Sequence, residues 1–305
     1  MQRRTFLQKS AIAGSLLSLG KFPLNAFAKE EFVKLTLLHT NDVHSRIERF
    51  PNDGSRNAGL GGAARRAALI KDIRKREKNV LLLDAGDIFQ GTPYFNFFGG
   101  ELEFKLMSEM KYDAATIGNH DFDGGIDGLE KQLPNANFPL VISNYDFSNT
   151  IMNGKTKDHL LFEKDGIKIG IFGIGINLKG LVPQNLYKET QVKDPIKTAN
   201  EFAGRLKKDE DCDFVICLSH LGFKYRSNEL VSDHVIAEQS EHIDLIIGGH
   251  THTFLDEAVV VKNRKGKATM INQAGWAGIL LGRIDVYFEK GKSNKCKSCN
   301  NIWLR

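Results

Sequence analysis

The chain reads as an α/β protein, and three observations predict that class. Short apolar runs such as VKLTLLHT, NVLLLDAGD and DFVICLSH alternate with charged stretches at helical spacing. The runs end in Gly, Asn, Asp or His, as buried strands running into loops do. A chain of 305 residues, 41% hydrophobic and 26% charged, has the composition of a packed globular protein. No internal repeat and no Pro/Ser-rich linker divides it, so a single domain is expected after the leader.

In order, residues 1–28 stand apart. QRRTFLQKS opens with adjacent arginines, AIAGSLLSLG is too short to span a bilayer, and NAFA offers Ala26 and Ala28 for cleavage. Arg3, Arg4, Phe6 and Leu7 resemble a twin-arginine export signal, although Gln8 stands where Lys is commoner. The mature domain is expected over 29–305, outside the cytoplasm and without a stable membrane span. The leader holds four of the basic residues and no acid, so the net charge of +5 falls to +1 without it. That balance says almost nothing about nucleic-acid or membrane partners, and no nucleic-acid partner is expected.

VKLTLLHT then reads as a strand. GGAARRAALIKDIRKRE reads as a helix, with Ala64, Ala67, Ala68 and Ile73 on its apolar side. NVLLLDAGD is a buried strand. GELEFKLMSEMK is a helix with Leu102, Leu106 and Met110 on one face. YDAATIGNHD is a strand, and GIDGLEKQL a short helix ending before Pro134. FPLVISN and IKIGIFGIG are strands. PIKTANEFAGRLKK is a helix opened by Pro195. DFVICLSH, the helix NELVSDHVIAEQ and the strand IDLIIGGHTH follow, and the tail is hairpin-like. KNRKGK is a charged hairpin tip. Cys217 reads as a buried apolar residue, and Cys296 and Cys299 as a loop or hairpin pair, with one C-x-x-C too little for a zinc site. His39 is expected to bond a loop, and His159, His234 and His242 to lie at the surface.

The polar residues fall in a pattern on this map. TNDVHS supplies Asp42 and His44, DAGD supplies Asp87, and GNHDFD supplies Asn119, His120 and Asp123. SHLG supplies His220, and GGHTH supplies His250 and His252. Each group follows a strand, and the strands of one sheet deliver their carboxyl ends to one rim. Asp42, His44, Asp87, Asn119, His220, His250 and His252 are too many for one tetrahedral ion. They suit two ions of the Zn, Mn or Fe type with a bridging carboxylate. Paired ions of that kind serve in-line displacement at phosphorus.

The motifs DVH, GDIFQG, GNHDF, SHLG and GGHTH resemble those of the calcineurin-like metallophosphatases. LLHTNDVHS, GDIFQGTP and IGNHDFDGG are similar more narrowly to the 5'-nucleotidase branch, which includes secreted 5'-nucleotidases and UDP-sugar hydrolases. The resemblance spans about residues 33 to 290. It implies a four-layer αββα sandwich. It also implies that Asp42, His44, Asp87 and His252 hold one ion and that Asp87, Asn119, His220 and His250 hold the other. His120 would contact the phosphate and help neutralise or protonate the leaving oxygen, with Asp123 orienting it, and no covalent phosphoenzyme is expected.

One departure bears on substrate. Secreted members of the branch usually carry a second, C-terminal domain that binds the base, whereas this sequence ends at Arg305. Two expectations follow: a single-domain phosphatase of broader range, or a catalytic or binding subunit docking a separate substrate-domain protein. Cyclic phosphodiesterases and thiosulfohydrolases share the motifs. TPYFNFFGG places Tyr94, Phe95, Phe97 and Phe98 near the site, where they either plug a loop or meet a base or a partner. GLGGAARR is expected to pack closely rather than to bind phosphate, because it lacks the Lys-Ser/Thr of a P-loop.

Overall fold

The computed structural model describes residues 32–227, 230–289, 295–299 and 301–305. The export segment read at residues 1–28 lies outside the described residues.

Two six-stranded sheets form the centre. In the first, β1 (Phe32–Thr40), β2 (Val80–Asp84) and β3 (Ala114–Ala115) run parallel, with Thr36 opposite Val80 and Leu83 opposite Ala114. The late strands β12 (Leu280–Glu289), β13 (Lys295–Cys299) and β14 (Ile302–Trp303) complete it, and β13 and β14 both pair β12 antiparallel. The second sheet has parallel β6 (Ile167–Gly175), β8 (Phe214–His220), β9 (Leu245–Gly248) and β11 (Ala268–Asn272). β5 (His159–Lys164) and β10 (Val259–Lys262) close its edges antiparallel. A small separate ladder joins β4 (Tyr145–Asp146) to β7 (Gln191–Val192).

Both faces of each sheet are buried, which is why the strands read as continuous apolar runs. Leu35, Leu37, Leu81 and Leu83 meet Ile169, Ile171, Ile216 and Leu218 between the sheets. Their neighbours point the other way, by the period of two. Leu38, Val80 and Leu82 pack on helices α1 (Ala63–Arg76), α3 (Glu101–Glu109) and α4 (Gly125–Gln132). Val215, Cys217 and Ile246 pack on α6 (Pro195–Lys208) and α7 (Asp233–Gln239). The result is the expected αββα sandwich. Each fully buried Leu or Ile contributes roughly 1.5–3 kcal/mol. Two shorter helices complete the count among the described residues: α2 (Pro93–Phe98) and α5 (Gln184–Tyr187).

Several local expectations shift. The rim is shared by two sheets rather than one. The first segment of the GNHDFD strand shrinks to Ala114–Ala115, and FPLVISN makes only isolated bridges at Leu140 and Val141. α3 buries Glu103, Phe104 and Met107, so its inner face is turned from the Leu102–Leu106 line, although Met110 just past its end is buried as expected. α1 buries Ala63, Arg66, Ile70 and Ile73, so Arg66 rather than Ala64 or Ala68 lies on its inner face. α7 starts at Asp233, where the Ser232 side chain caps the Val235 N–H. α6 starts as expected, with Pro195 at its first turn and Asp194 accepting from Ile196 N and Lys197 N at 2.9 Å each. His39 lies inside β1, fully buried, and bonds Asn272 of the facing sheet at 2.9 Å instead of a loop. His159, His234 and His242 are half-buried, each beside an acid. Cys212 and Cys217 are buried free thiols. Cys296 and Cys299 fall in strand β13, which pairs antiparallel with β12 in keeping with the hairpin expectation. KNRKGK is the β10–β11 hairpin turn. No helix among the described residues is long and apolar enough to cross a membrane.

Candidate metal centre

The loops after β1, β2, β3, β8 and β9 meet at one end of the sandwich, where the two sheets lie side by side. Asp42, His44 and His252 place one ligand atom each within 4.8 Å of one another, and Asp87, His220 and His250 do the same. Each trio draws side chains from both sheets. Asn119 joins the second trio through Oδ1, 2.8 Å from His250 Nδ1. All seven predicted ligand residues are therefore brought together.

The backbone is bent to bring them there. Asp42, His44, Asp87, His250 and His252 have φ of 50°, 52°, 55°, 77° and 52°. Left-handed conformations cost non-glycine residues about 1–3 kcal/mol each, and they persist where the surroundings over-determine them. Glycines make the close approaches possible. At Gly86, φ is 86°, and a Cβ would lie 2.6 Å from Gly118 N and 2.9 Å from His220 Nδ1.

Each imidazole is aimed by its second nitrogen, with one exception. His44 Nδ1 lies 3.1 Å from the Gln90 carbonyl, and His220 Nδ1 lies 2.7 Å from that of Ala85. A carbonyl can only accept, so Nδ1 donates and Nε2 is left bare. The two bare nitrogens face their trios. His44 Nε2 is 3.0 Å from His252 Nε2. His220 Nε2, with no hydrogen-bond partner and no solvent, is 3.1 Å from Asp87 Oδ2 and 4.0 Å from Asp42 Oδ1. Lone pairs converging on one another without donors fit a shared cation at each trio. The imidazole–carboxylate donor set, without thiolate, fits two divalent ions.

The charges agree. Burial pushes the Asp42 carboxyl up, and the Asp87 charge adds to it. Burial works against the charge on Asp87 too, but His220 outweighs it and holds that carboxyl low. Burial disfavours the His220 cation, yet the Asp87 carboxylate pulls its pKa up to about 10. Burial, helped by neighbouring imidazoles, pushes His250 and His252 down to about 4, so both are neutral at pH 7.

His120 stands at the lip, its side chain 41% exposed, with Nδ1 2.8 Å from Asp123 Oδ2. That hydrogen bond raises the imidazole pKa despite partial burial. The His120 N–H donates to Asp87 Oδ1 at 2.8 Å, which fixes the dyad against the second trio.

Sequence reasoning overlooked the residues that hold this arrangement from behind. Asp121 is buried and accepts from the N–H groups of Asp87, Ile88, Phe89 and Gly118 at 2.7–3.1 Å. Asn41 donates to Asp42 Oδ2 and the Gly275 carbonyl at 2.6 and 2.7 Å. Gln273 donates to Asp233 Oδ2 at 2.8 Å and to the Gly249 carbonyl at 3.0 Å. The signal available was the first acid inside GNHDFD, Asp121, which stood unexplained between His120 and Asp123. Tyr94, Phe95, Phe97 and Phe98 form α2. Phe95 packs on the core, whereas Phe97 is 81% and Phe98 47% exposed. Gly61 donates its N–H to the Leu304 carbonyl at 2.8 Å, so the GLGG segment serves packing.

Comparison with known proteins agrees with this geometry. The chain is 34% identical over 288 residues to the snake venom 5'-nucleotidase of Crotalus adamanteus, covering 88% of this chain and 47% of that protein. It is 32% identical to the 5'-nucleotidase of Homo sapiens, covering 84% and 47%. Its fold superposes on the crystal structure of a 5'-nucleotidase precursor from Thermus thermophilus with a TM-score of 0.80 at 30% identity, covering 89% of this chain and 55% of that one. The chain thus spans about half the length of the relatives it matches. The family profile for calcineurin-like phosphoesterase matches residues 35–254, which contain both trios and the dyad. On that match, and on the way its strand ends converge, the chain belongs to the calcineurin-like phosphoesterase family.

Proposed function

We propose that the chain hydrolyses nucleotide phosphomonoesters as a 5'-nucleotidase and works outside the cytoplasm. The convergence of the two trios beneath the His120–Asp123 pair carries the reading. Asp42, His44, Asp87 and His252 hold one divalent cation in this reading, and Asp87, Asn119, His220 and His250 hold the other. The bound cations, Mn, Zn or Fe, supply Lewis acidity toward phosphoryl oxygens and lower the pKa of a water. The side chains do the rest. Asp123 keeps one nitrogen of His120 occupied and favours the charged ring, so the other nitrogen is free to donate a proton to the leaving oxygen. No residue of the chain needs to act as a nucleophile.

The nucleotide class is supported by the names of the relatives, and export by the arginine pair of the leader. A second reading is favoured by the exposed Phe97 and Phe98 on α2. In it a separate substrate-domain protein docks there and supplies base recognition.

The test measures phosphate release from AMP, UMP, ADP, UDP-glucose, a cyclic nucleotide and p-nitrophenyl phosphate with Mn or Zn present. The protein is taken from the exported fraction, where its first residue should be Lys29. Wild type should favour nucleoside monophosphates, and His120→Ala should lose about 10²–10⁴-fold in kcat. Slow cleavage of the generic ester alone would favour the docking reading. A protein retained inside with Arg3 and Arg4 intact would overturn the export half.

A further inference from the structure

Of the four imidazoles in the two trios, His252 is the one without an anchored second nitrogen. His44 and His220 reach backbone carbonyls through Nδ1, and His250 Nδ1 meets Asn119. Among the described residues His252 Nδ1 makes no hydrogen bond. Its side chain is also 41% exposed, against 9% for His44 and 0% for His220. An exposed imidazole with no hydrogen bond behind its inward-facing nitrogen would turn about its side-chain bonds, and the cost of ordering it would weaken its hold on a cation.

Its orientation comes from its face. The His252 ring lies parallel to the Trp276 indole, with centroids 5.7 Å apart and planes 6° apart. Phe50 packs edge-on against that indole at 5.9 Å and 72°, and the Arg46 guanidinium covers Phe50 at 4.2 Å. The loop carrying Trp276 is tied on both flanks. Asn41 Nδ2 donates to the Gly275 carbonyl at 2.7 Å, and the Ala277 N–H donates to the Asp42 carbonyl at 2.7 Å. The Gly275 N–H donates to the Thr253 carbonyl, next to His252, at 3.0 Å. The indole is therefore held in register with Asp42 and His252 at once.

We infer that Trp276 is a positioning residue for the Asp42–His44–His252 cation site: its indole face replaces the missing hydrogen bond and sets the angle at which His252 Nε2 meets the ion. This rests on the reading of that trio as a cation site. Outer partners of metal-binding histidines typically change metal affinity 10- to 100-fold. Stacking is weaker than a charge-assisted hydrogen bond, so the lower end of that range is expected here.

The experiment counts free Mn²⁺ by electron paramagnetic resonance as metal-free protein is titrated. Wild type should bind two ions. Trp276→Leu keeps bulk and every backbone tether but removes the flat face, so it should weaken one ion about tenfold and leave the other unchanged. Trp276→Phe, which restores a flat ring, should recover most of the loss. A purely structural role would weaken both sites together and lower the melting temperature of the metal-free protein. That result overturns the inference, as do two unchanged affinities in Trp276→Leu. A wild type that binds no Mn²⁺ overturns the cation reading itself, and this inference with it. A second measurement avoids altering Trp276. The chain has two tryptophans, so Trp303→Phe leaves Trp276 as the only indole to excite selectively at the red edge of absorption, where its tyrosines do not absorb. Its fluorescence should change as Mn²⁺ fills the first trio. Emission that stays constant through full occupancy overturns the inference.

Discussion

His39 is an imidazole that burial keeps neutral. It lies fully enclosed between the sheets, and Asn272 Nδ2 donates to its Nε2 at 2.9 Å. A proton there would set two donors face to face. Burial accordingly pushes its pKa down to about 3 from the usual 6.5. Because the folded value is depressed, its contribution is complete above pH 6.5 and is lost as pH falls toward 3. Stability should drop by about 1.4 kcal/mol per pH unit through that window from this group alone. His39→Phe keeps a flat ring over Gly282 and has no proton to gain. Its urea unfolding midpoint should depend less steeply on pH between 6 and 4 than that of wild type, and equal slopes would reject the assignment. Residue by residue, His39 also marks where sequence reading stops. That a histidine stood in this strand was plain, but its environment depended on a facing strand more than two hundred positions away.

At the scale of elements, buried carboxylates tie the strand-end loops to one another. Asp121 ties the β2 loop to the β3 loop through its four N–H donors. Asp121→Ala would leave these buried donors unmatched, and unmatched buried groups cost about 1–3 kcal/mol each before relaxation. A loss of about 3 kcal/mol in denaturant unfolding is expected, together with weaker Mn²⁺ binding, since Asp87 belongs to the released loop. Full retention of both would show that water replaces the carboxylate without consequence. Element order was largely legible, because strands buried on both faces leave long apolar runs and Pro195 and Asp194 announce a helix. Element ends were less so. The GNHDFD strand was read long because its apolar run continues, whereas only Ala114 and Ala115 find a ladder partner. The turn of α3 was misread because Leu102 and Leu106 match helical spacing as well as Phe104 and Met107 do.

For the whole molecule, the seven expected ligand residues could be found from sequence because each follows an apolar run. The division of those runs between two sheets could not, since pairing is a long-range choice that one sequence does not display. If both trios hold cations, chelation should lower the thermal midpoint. An ion at a hundred times its Kd adds about 2.7 kcal/mol, and for a chain of this size that is roughly 5–10 °C by calorimetry. An unchanged midpoint in EDTA would argue that neither trio is a cation site.

Each trio takes side chains from both sheets. An ion seated there works like a clasp that shuts only when its two sides are level. A chain with one sheet formed has half a grip on either ion and cannot keep it against a competitor in solution. Retention of both ions after gel filtration would therefore count finished molecules, separating them from those whose halves have yet to close.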